Sequence, residues 1–195
     1  MRLITILALL VASQIVFSQN DDDEILIQNF YEACKAVNYS AYSGANTGIQ
    51  LFDTKQYSRS LKNFEKALEK DPKYCDAWYL IAHCYQKTGD YPKAIEACNK
   101  SLEMNPTNPS ALIIKANTLF LMKDTVSATD VFRKVKEMLP DKVDGYYGLA
   151  LMLYLLEQID EASKVLVEME QKGVKTLDVR DNKKIKDLKN KTQQI

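Results

Sequence analysis

Glycine and proline are scarce in this sequence, which has six glycines and five prolines among 195 residues. This composition favours helices over sheets, because both residues are poor helix formers. Histidine and tryptophan each occur once. Lysine plus arginine and aspartate plus glutamate both number 26, so the net charge is zero and gives no reason to expect nucleic acid as a partner.

Signals of catalysis are also missing. A catalytic site needs a convergent set of titratable groups, and His83 is the single histidine. Neither a G-x-S-x-G motif nor a P-loop occurs. Several carboxylates recur at helical spacing among lysines and are interpreted as solvated helix faces: Glu65, Glu69, Glu96 and Glu103. We therefore predict a protein that is not an enzyme and that uses no cofactor or metal.

Residues 1–18 differ from the rest of the chain. Arg2 is followed by an apolar run over residues 3–11, and residues 19–23 are abruptly polar. This layout is typical of a secretory signal peptide, which predicts an exported protein, periplasmic or secreted. An uncleaved membrane anchor is the alternative, although the apolar stretch is shorter than the roughly 20 residues that span a bilayer. Membrane contact is expected only if this segment is retained.

Four cysteines follow: Cys34, Cys75, Cys84 and Cys98. In an exported protein an even number permits disulfides, but no Cys-x-x-Cys occurs, so the spacing does not indicate zinc. Cys84 and Cys98 are expected on two helices that pack together and could form a bridge. The favoured interpretation is that both are small, reduced core residues.

Four columns of residues recur every 34 positions. The first column holds small residues, which are Gly48, Ala82, Ala116 and Ala150. The second is also small, with Ser60, Ala94, Ala128 and Ala162. The third is mostly bulky, with Phe64, Cys98, Phe132 and Leu166, and the fourth holds Ala67, Ser101, Val135 and Met169. Prolines keep the same interval at Pro72, Pro106 and Pro140.

The two small columns indicate how each unit folds. Within a unit their members lie twelve residues apart, on either side of a turn. Two antiparallel helices approach closely only where both present small side chains. In the second unit Gly89 supplies a left-handed residue at the turn, and Pro92 begins the next helix. Each unit is therefore predicted to be a helix–turn–helix hairpin.

These columns resemble the tetratricopeptide repeat, whose unit has 34 residues and a similar pattern of small and large positions. Trp78 and Tyr85 match the aromatic pair of the first helix in the second unit. The resemblance implies an all-α fold, a right-handed α-solenoid of four repeats over residues 41–176. The repeats are expected at about residues 41–74, 75–108, 109–142 and 143–176. Capping helices are expected at both ends, over residues 19–40 and within the lysine-rich residues 177–195.

The resemblance also implies a concave binding face, lined by the first helix of each unit. The first two units would contribute Ile49, Phe52, Tyr79, His83, Gln86 and Lys87. The third would contribute Ile113, Asn117, Phe120 and Leu121, and the fourth Tyr147, Leu151, Tyr154 and Leu155. A clamp for chaperone C-terminal carboxylates, known in some relatives, is not expected, because its positions hold Ala45, Ile49, Ser110 and Ile114.

The lining is aromatic and aliphatic with few charges, which suits an amphipathic helix or an extended apolar segment. We therefore hypothesise a scaffold that binds a peptide or helix of another protein. Two alternatives are a structural subunit of an envelope or secretion assembly and a membrane-tethered adaptor. The lining could instead be covered within this chain or by a second copy in a homo-oligomer.

Overall fold

The computed structural model describes residues 34, 36–175 and 179–193, so the predicted signal peptide lies outside the described residues. These residues form nine helices and no strand. The first four helices are α1 Tyr39–Asp53, α2 Tyr57–Lys70, α3 Cys75–Lys87 and α4 Tyr91–Met104. The next four are α5 Pro109–Leu121, α6 Thr125–Met138, α7 Val143–Leu155 and α8 Ile159–Gln171, and α9 is Val179–Gln193.

The first eight helices form four antiparallel pairs that stack in chain order. In every pair a three-residue turn has its middle residue in the left-handed region, at Lys55, Gly89, Lys123 and Glu157. The residue after it donates its N–H to a carbonyl five positions back, as Asp90 does to Tyr85 over 2.9 Å. This bond satisfies one of the carbonyls left open at a helix end. The same turn therefore recurs four times, although only one of them contains glycine.

The core follows the columns found in the sequence, since all sixteen column residues are buried. In the first pair the Ser60 hydroxyl donates to the Gly48 carbonyl over 2.7 Å. A Cβ atom on Gly48 would lie 2.5 Å from Cε1 of Phe64. The two helices are therefore in direct contact at Gly48 and Ser60, and the side chain of Phe64 fills the space beside this contact.

Polar side chains cap several of these helices. Asn38 accepts from the Ser40 N–H at 2.8 Å and begins α1, while Asn108 accepts from the Ala111 N–H at 3.2 Å and begins α5. The helix predicted over residues 19–40 lies mostly outside the described residues. Where the two overlap, residues 36–38 are not helical, because Asn38 and its neighbours form the cap of α1.

At the other end, α9 packs against α7 and α8. Leu188 of α9 is buried, Ile185 packs against the same apolar cluster, and Lys189 forms an ion pair with Glu170. Over residues 36–175 and 179–193, no helix is both long and apolar enough to cross a membrane.

A disulfide joins Cys34 to Cys75, the first residue of α3, with the two Cα atoms 5.6 Å apart. Sequence reasoning considered Cys84 with Cys98 and missed this pair, because Cys34 falls within the capping helix predicted over residues 19–40 and was not expected beside α3. Cys84 and Cys98 are reduced and buried, which agrees with the favoured interpretation of both as core residues. Burial raises the pKa of the Cys84 thiol to about 11, and burial also raises the pKa of Cys98.

The close approach of α7 to the backbone of α6 at Gly145 generates a stability prediction. A Cβ atom on Gly145 would clash with the backbone of Lys136, so Gly145→Ala must push α7 away from α6. We expect a loss of about 1–3 kcal/mol in the free energy of unfolding, measured by urea denaturation. Gly44→Ala is the control, since its Cβ would meet only the Asn63 carbonyl at 3.9 Å. That change should stabilise the protein by about 0.5–1 kcal/mol. Equal changes in the free energy of unfolding for Gly145→Ala and Gly44→Ala would contradict the close packing of α6 and α7.

Thiol counting tests the cysteine assignment. Because the Cys84 and Cys98 thiols are buried and their pKa values are raised, neither should react with Ellman's reagent in the native protein at about pH 8. Unfolding without reductant should release two reactive thiols, and unfolding after reduction should release all four cysteines. Four reactive thiols in the unreduced, unfolded protein would rule out the disulfide.

Candidate peptide-binding face

The first helices of the four pairs, α1, α3, α5 and α7, form the candidate face. Within the described residues, α3 packs against α1 and α5, its neighbours of the same kind, as well as against α2 and α4. Residues at equivalent positions of α3, α5 and α7 therefore come to one side of the stack. We call this side the concave face, defined by the lining residues that the resemblance implies.

The predicted lining residues differ in burial. Half are buried, which are Tyr79, His83, Gln86, Ile113, Asn117, Phe120 and Tyr147. The other half are partly exposed, which are Ile49, Phe52, Lys87, Leu121, Leu151, Tyr154 and Leu155. The partly exposed residues concentrate on α1 and α7, the two ends of the stack. On α3 and α5 only Lys87 and Leu121 are partly exposed, so the centre of the face is less open to solvent than its ends.

Two of these residues serve contacts between helices. The Gln86 side-chain amide donates to the Ile114 carbonyl at 3.2 Å and to the Thr118 hydroxyl at 2.8 Å, which joins α3 to α5. Ile113 has no solvent-exposed surface and belongs to one apolar cluster with Val135 of α6. Both residues hold neighbouring helices together, so the surface available to a ligand is narrower than the predicted set.

Aromatic contacts connect the first two repeats across the face. The rings of Phe52 and His83 lie 4.3 Å apart between centroids, and Phe52 also meets Tyr57 edge-on at 5.1 Å. Such ring pairs stabilise beyond their buried area by about 0.5–1.5 kcal/mol. This ring cluster fixes the position of α1 against α3 at the open end of the face.

Sequence reasoning missed a polar column on this face. Asp76, Ser110 and Asp144 stand 34 residues apart in the first turns of α3, α5 and α7. Each is only 2% exposed, and each takes part in polar or electrostatic interactions. The 34-residue spacing was visible in the sequence, but charged residues at a first turn are ordinarily exposed, so their burial could not be predicted.

The best-defined member of this polar column is Asp76. Its Oδ2 atom accepts from the backbone N–H of Cys34 at 3.0 Å, and its Oδ1 atom accepts from the Asn108 side-chain amide at 3.0 Å. Asn108 also donates to the Ser101 hydroxyl at 3.1 Å. A buried carboxylate is tolerated when its oxygens are hydrogen-bonded in this way. Asp76 thus holds a backbone segment, that of Cys34, against the concave face.

The same place contains the one group in the described chain with metal-ligand spacing, since atoms of Cys34, Cys75 and Asp76 lie within 4.8 Å of one another. Thiolates bind zinc, but the two sulfurs here are joined to each other. The arrangement is therefore a disulfide beside a hydrogen-bonded carboxylate, and it offers no thiolate to a metal.

Comparison with known proteins agrees with the repeat assignment. The sequence model of the tetratricopeptide repeat matches residues 75–108, the α3–α4 pair. Hsp70-Hsp90 organizing protein 1 of Glycine max is 27% identical over 117 residues, which cover 60% of this chain and 20% of that protein. The chain spans only about a fifth to a quarter of the length of the first curated relatives it matches. The matches indicate no enzyme family.

Two solved structures share the fold. A tetratricopeptide-repeat protein of Thermus thermophilus superposes with a TM-score of 0.58 at 20% identity, covering 66% of this chain and 72% of its own. The first tetratricopeptide domain of Spaghetti (RPAP3), bound to an HSP90 peptide, gives a TM-score of 0.59 at 17% identity, covering 63% and 97%. The predicted all-α solenoid is thereby confirmed, and the chain has the fold of tetratricopeptide-repeat proteins.

Proposed function

We propose that this chain is a non-catalytic scaffold whose concave face binds an apolar or amphipathic segment of another protein. The observation that carries the proposal is the lining itself. Partly exposed apolar side chains lie at both ends of the face, with Phe52 on α1 and Leu151 and Tyr154 on α7. Aromatic residues supply large apolar area with few rotatable bonds, which suits them to protein recognition. A solved structure with the same fold is bound to an HSP90 peptide, which supports peptide binding as a function of this fold.

The lining also defines the class of ligand. The positions where a chaperone-type clamp needs cationic or amide groups hold Ala45, Ser110 and Ile114, all of them buried here. A C-terminal carboxylate would therefore meet no lysine or arginine at these positions. An aliphatic or aromatic segment gains roughly 25 cal/mol for each Å² of apolar surface that it buries on such a face. The proposed ligand is accordingly an apolar helix or strand, and not an acidic tail.

We also propose that the protein works outside the reducing cytosol. The support is the Cys34–Cys75 disulfide, because structural disulfides form and persist mainly in oxidising compartments. The signal-like residues 1–18 predict the same location.

A peptide-display selection tests the binding proposal. We expect the purified chain to select peptides with aliphatic and aromatic residues at helical or alternating spacing. Replacing the partly exposed residues Leu151 and Tyr154 together by serine should weaken these peptides at least tenfold. The reason is that each buried apolar anchor contributes about 1.5–3 kcal/mol, and about 1.4 kcal/mol is tenfold in Kd. Binding is measured by fluorescence polarisation.

The matched control is Val126→Ser on α6, since this side chain is 64% exposed and lies on a second helix. It should leave peptide affinity unchanged, and circular dichroism should show that both variants keep their helices. A loss of peptide affinity in the Val126→Ser variant would contradict binding at the concave face. Unchanged affinity in both variants would contradict it as well.

A further inference from the structure

A groove lies between the second helices of the first two pairs, α2 and α4. The helix α2 packs against α1 and α3, and α4 packs against α3 and α5, so α3 forms the floor between them. The groove encloses about 400 Å³, which is within the roughly 300–1,000 Å³ typical of ligand sites. Its lining shares no residue with the predicted lining of the concave face. This α2–α4 groove is therefore a separate surface.

The floor of the α2–α4 groove is apolar and aromatic. Trp78, Ile81 and Tyr85 are spaced i, i+3 and i+7 along α3 and therefore share one side of that helix. Leu68 of α2 and Ala97 of α4 extend the apolar lining. Trp78 and Tyr85 are partly exposed, so both rings have apolar surface left for a ligand to cover.

The equivalent place in the fourth repeat is closed by the chain itself. Tyr146 stands two repeats after Trp78 and has no exposed surface. Lys136 of α6 forms an ion pair with Glu168 of α8 at 2.7 Å, and its ammonium lies 5.5 Å from the centre of the Tyr146 ring. The Tyr146 hydroxyl donates to the Pro140 carbonyl over 3.2 Å. An ion pair thus joins the two second helices over a fully bonded aromatic residue.

The second repeat lacks this closure. Leu68 stands at the position of Lys136, and Lys100 stands at the position of Glu168, so these positions cannot join α2 to α4 by an ion pair. The indole N–H of Trp78 has no hydrogen-bond acceptor within the described part of the chain. Buried tryptophan N–H groups usually have a partner. The α2–α4 groove is consequently an aromatic site that its own repeat leaves incomplete.

The charges around the groove define the kind of ligand. Its two lysines, Lys93 and Lys100, form ion pairs at 2.7 and 2.8 Å with acidic residues three or four positions before them. Glu65 and Glu69 are exposed and form no ion pair or hydrogen bond among the residues that the structure describes. These two carboxylates stand one helical turn apart on α2, with Cβ atoms about 5–6 Å apart. The unmatched charge of the groove is therefore negative, and one cation can meet both carboxylates.

The aromatic rings favour the same charge. The Lys100 ammonium lies 4.6 Å from the centre of the Trp78 ring, and the Lys93 ammonium lies 5.4 Å from that of Tyr85. The faces of such rings attract cations electrostatically. Arginine suits both features of the groove, because its planar guanidinium stacks on aromatic rings and donates to two acceptors at once.

We propose that the α2–α4 groove is a second binding site, which takes an arginine-bearing apolar segment of a partner protein. The guanidinium lies against Glu65 and Glu69, and a neighbouring apolar side chain covers Trp78 and Ile81. This site is independent of the proposed concave face. One scaffold then holds two segments of different chemistry, an apolar one on the first helices and a basic one between two second helices.

The single tryptophan makes the site directly observable, since Trp78 gives the one indole signal of this chain in a proton–nitrogen correlation spectrum. The probe is the acetylated and amidated peptide Leu-Arg-Leu-Arg-Leu, added to the isotope-labelled full chain. We expect the indole signal to shift and the shift to saturate. A matched peptide carries citrulline, an uncharged planar analogue, in place of arginine. It should bind at least threefold more weakly, because it forms no ion pair.

The double variant Glu65→Gln, Glu69→Gln tests the two carboxylates. Both side chains are exposed, so circular dichroism should show unchanged helix content. The variant should bind the arginine peptide at least threefold more weakly than the unaltered chain, and it should no longer distinguish the arginine peptide from the citrulline peptide. The control Glu137→Gln, Glu161→Gln removes the same charge from exposed positions of α6 and α8 and should behave like the unaltered chain.

An indole signal that the arginine peptide leaves unshifted would overturn the proposal. Equal affinity of the unaltered chain for both peptides, or an equal loss in the two double variants, would overturn it too. A shift on raising the protein concentration without peptide would instead assign the groove to a second copy of the chain. The Leu151→Ser, Tyr154→Ser variant should shift its indole signal as the unaltered chain does, so failure of this test leaves the proposed function of the concave face untouched.

Discussion

The close contact of two antiparallel helices at small residues is the constraint on which this structure depends. At Gly48 and Ser60 a side-chain hydroxyl reaches the opposite backbone over 2.7 Å. Larger residues at these positions would separate the helices and remove the contacts of the bulky column beside them. Since the contact recurs every 34 residues, each pair has the same shape and the pairs stack in a regular way.

Regular stacking has a direct consequence for the surface. Equivalent residues of successive units come to one side, so any residue type repeated at this interval becomes a continuous stripe. The apolar column of Tyr79, Ile113 and Tyr147 and the polar column of Asp76, Ser110 and Asp144 are two such products. The candidate face therefore arises from repetition, without any single motif, and its chemistry is the sum of the residues at a few positions.

The disulfide adds a covalent constraint to the stack, since it joins Cys34 to Cys75, the first residue of α3. Cross-linking positions 41 residues apart in sequence also limits the unfolded chain, which contributes about 4 kcal/mol in the loop-entropy model.

Sequence reasoning located the helix pairs because small residues, turns and prolines act locally and repeat. It found the turn at Gly89 but had no signal for Lys55, Lys123 and Glu157, which adopt the same left-handed conformation without glycine. For the candidate face it named residues on the first helix of each pair, yet it could not tell Gln86 and Ile113, which join helices, from residues available to a ligand.

The sequence alone therefore determined the helical repeat, the spacing of its units and the apolar character of the predicted lining, since each depends on local spacing. Tertiary structure decided which cysteines pair, how deeply Asp76 and Asp144 are buried and how far the face is closed to solvent. These features depend on contacts between distant parts of the chain, and the residues adjacent in sequence do not specify such contacts.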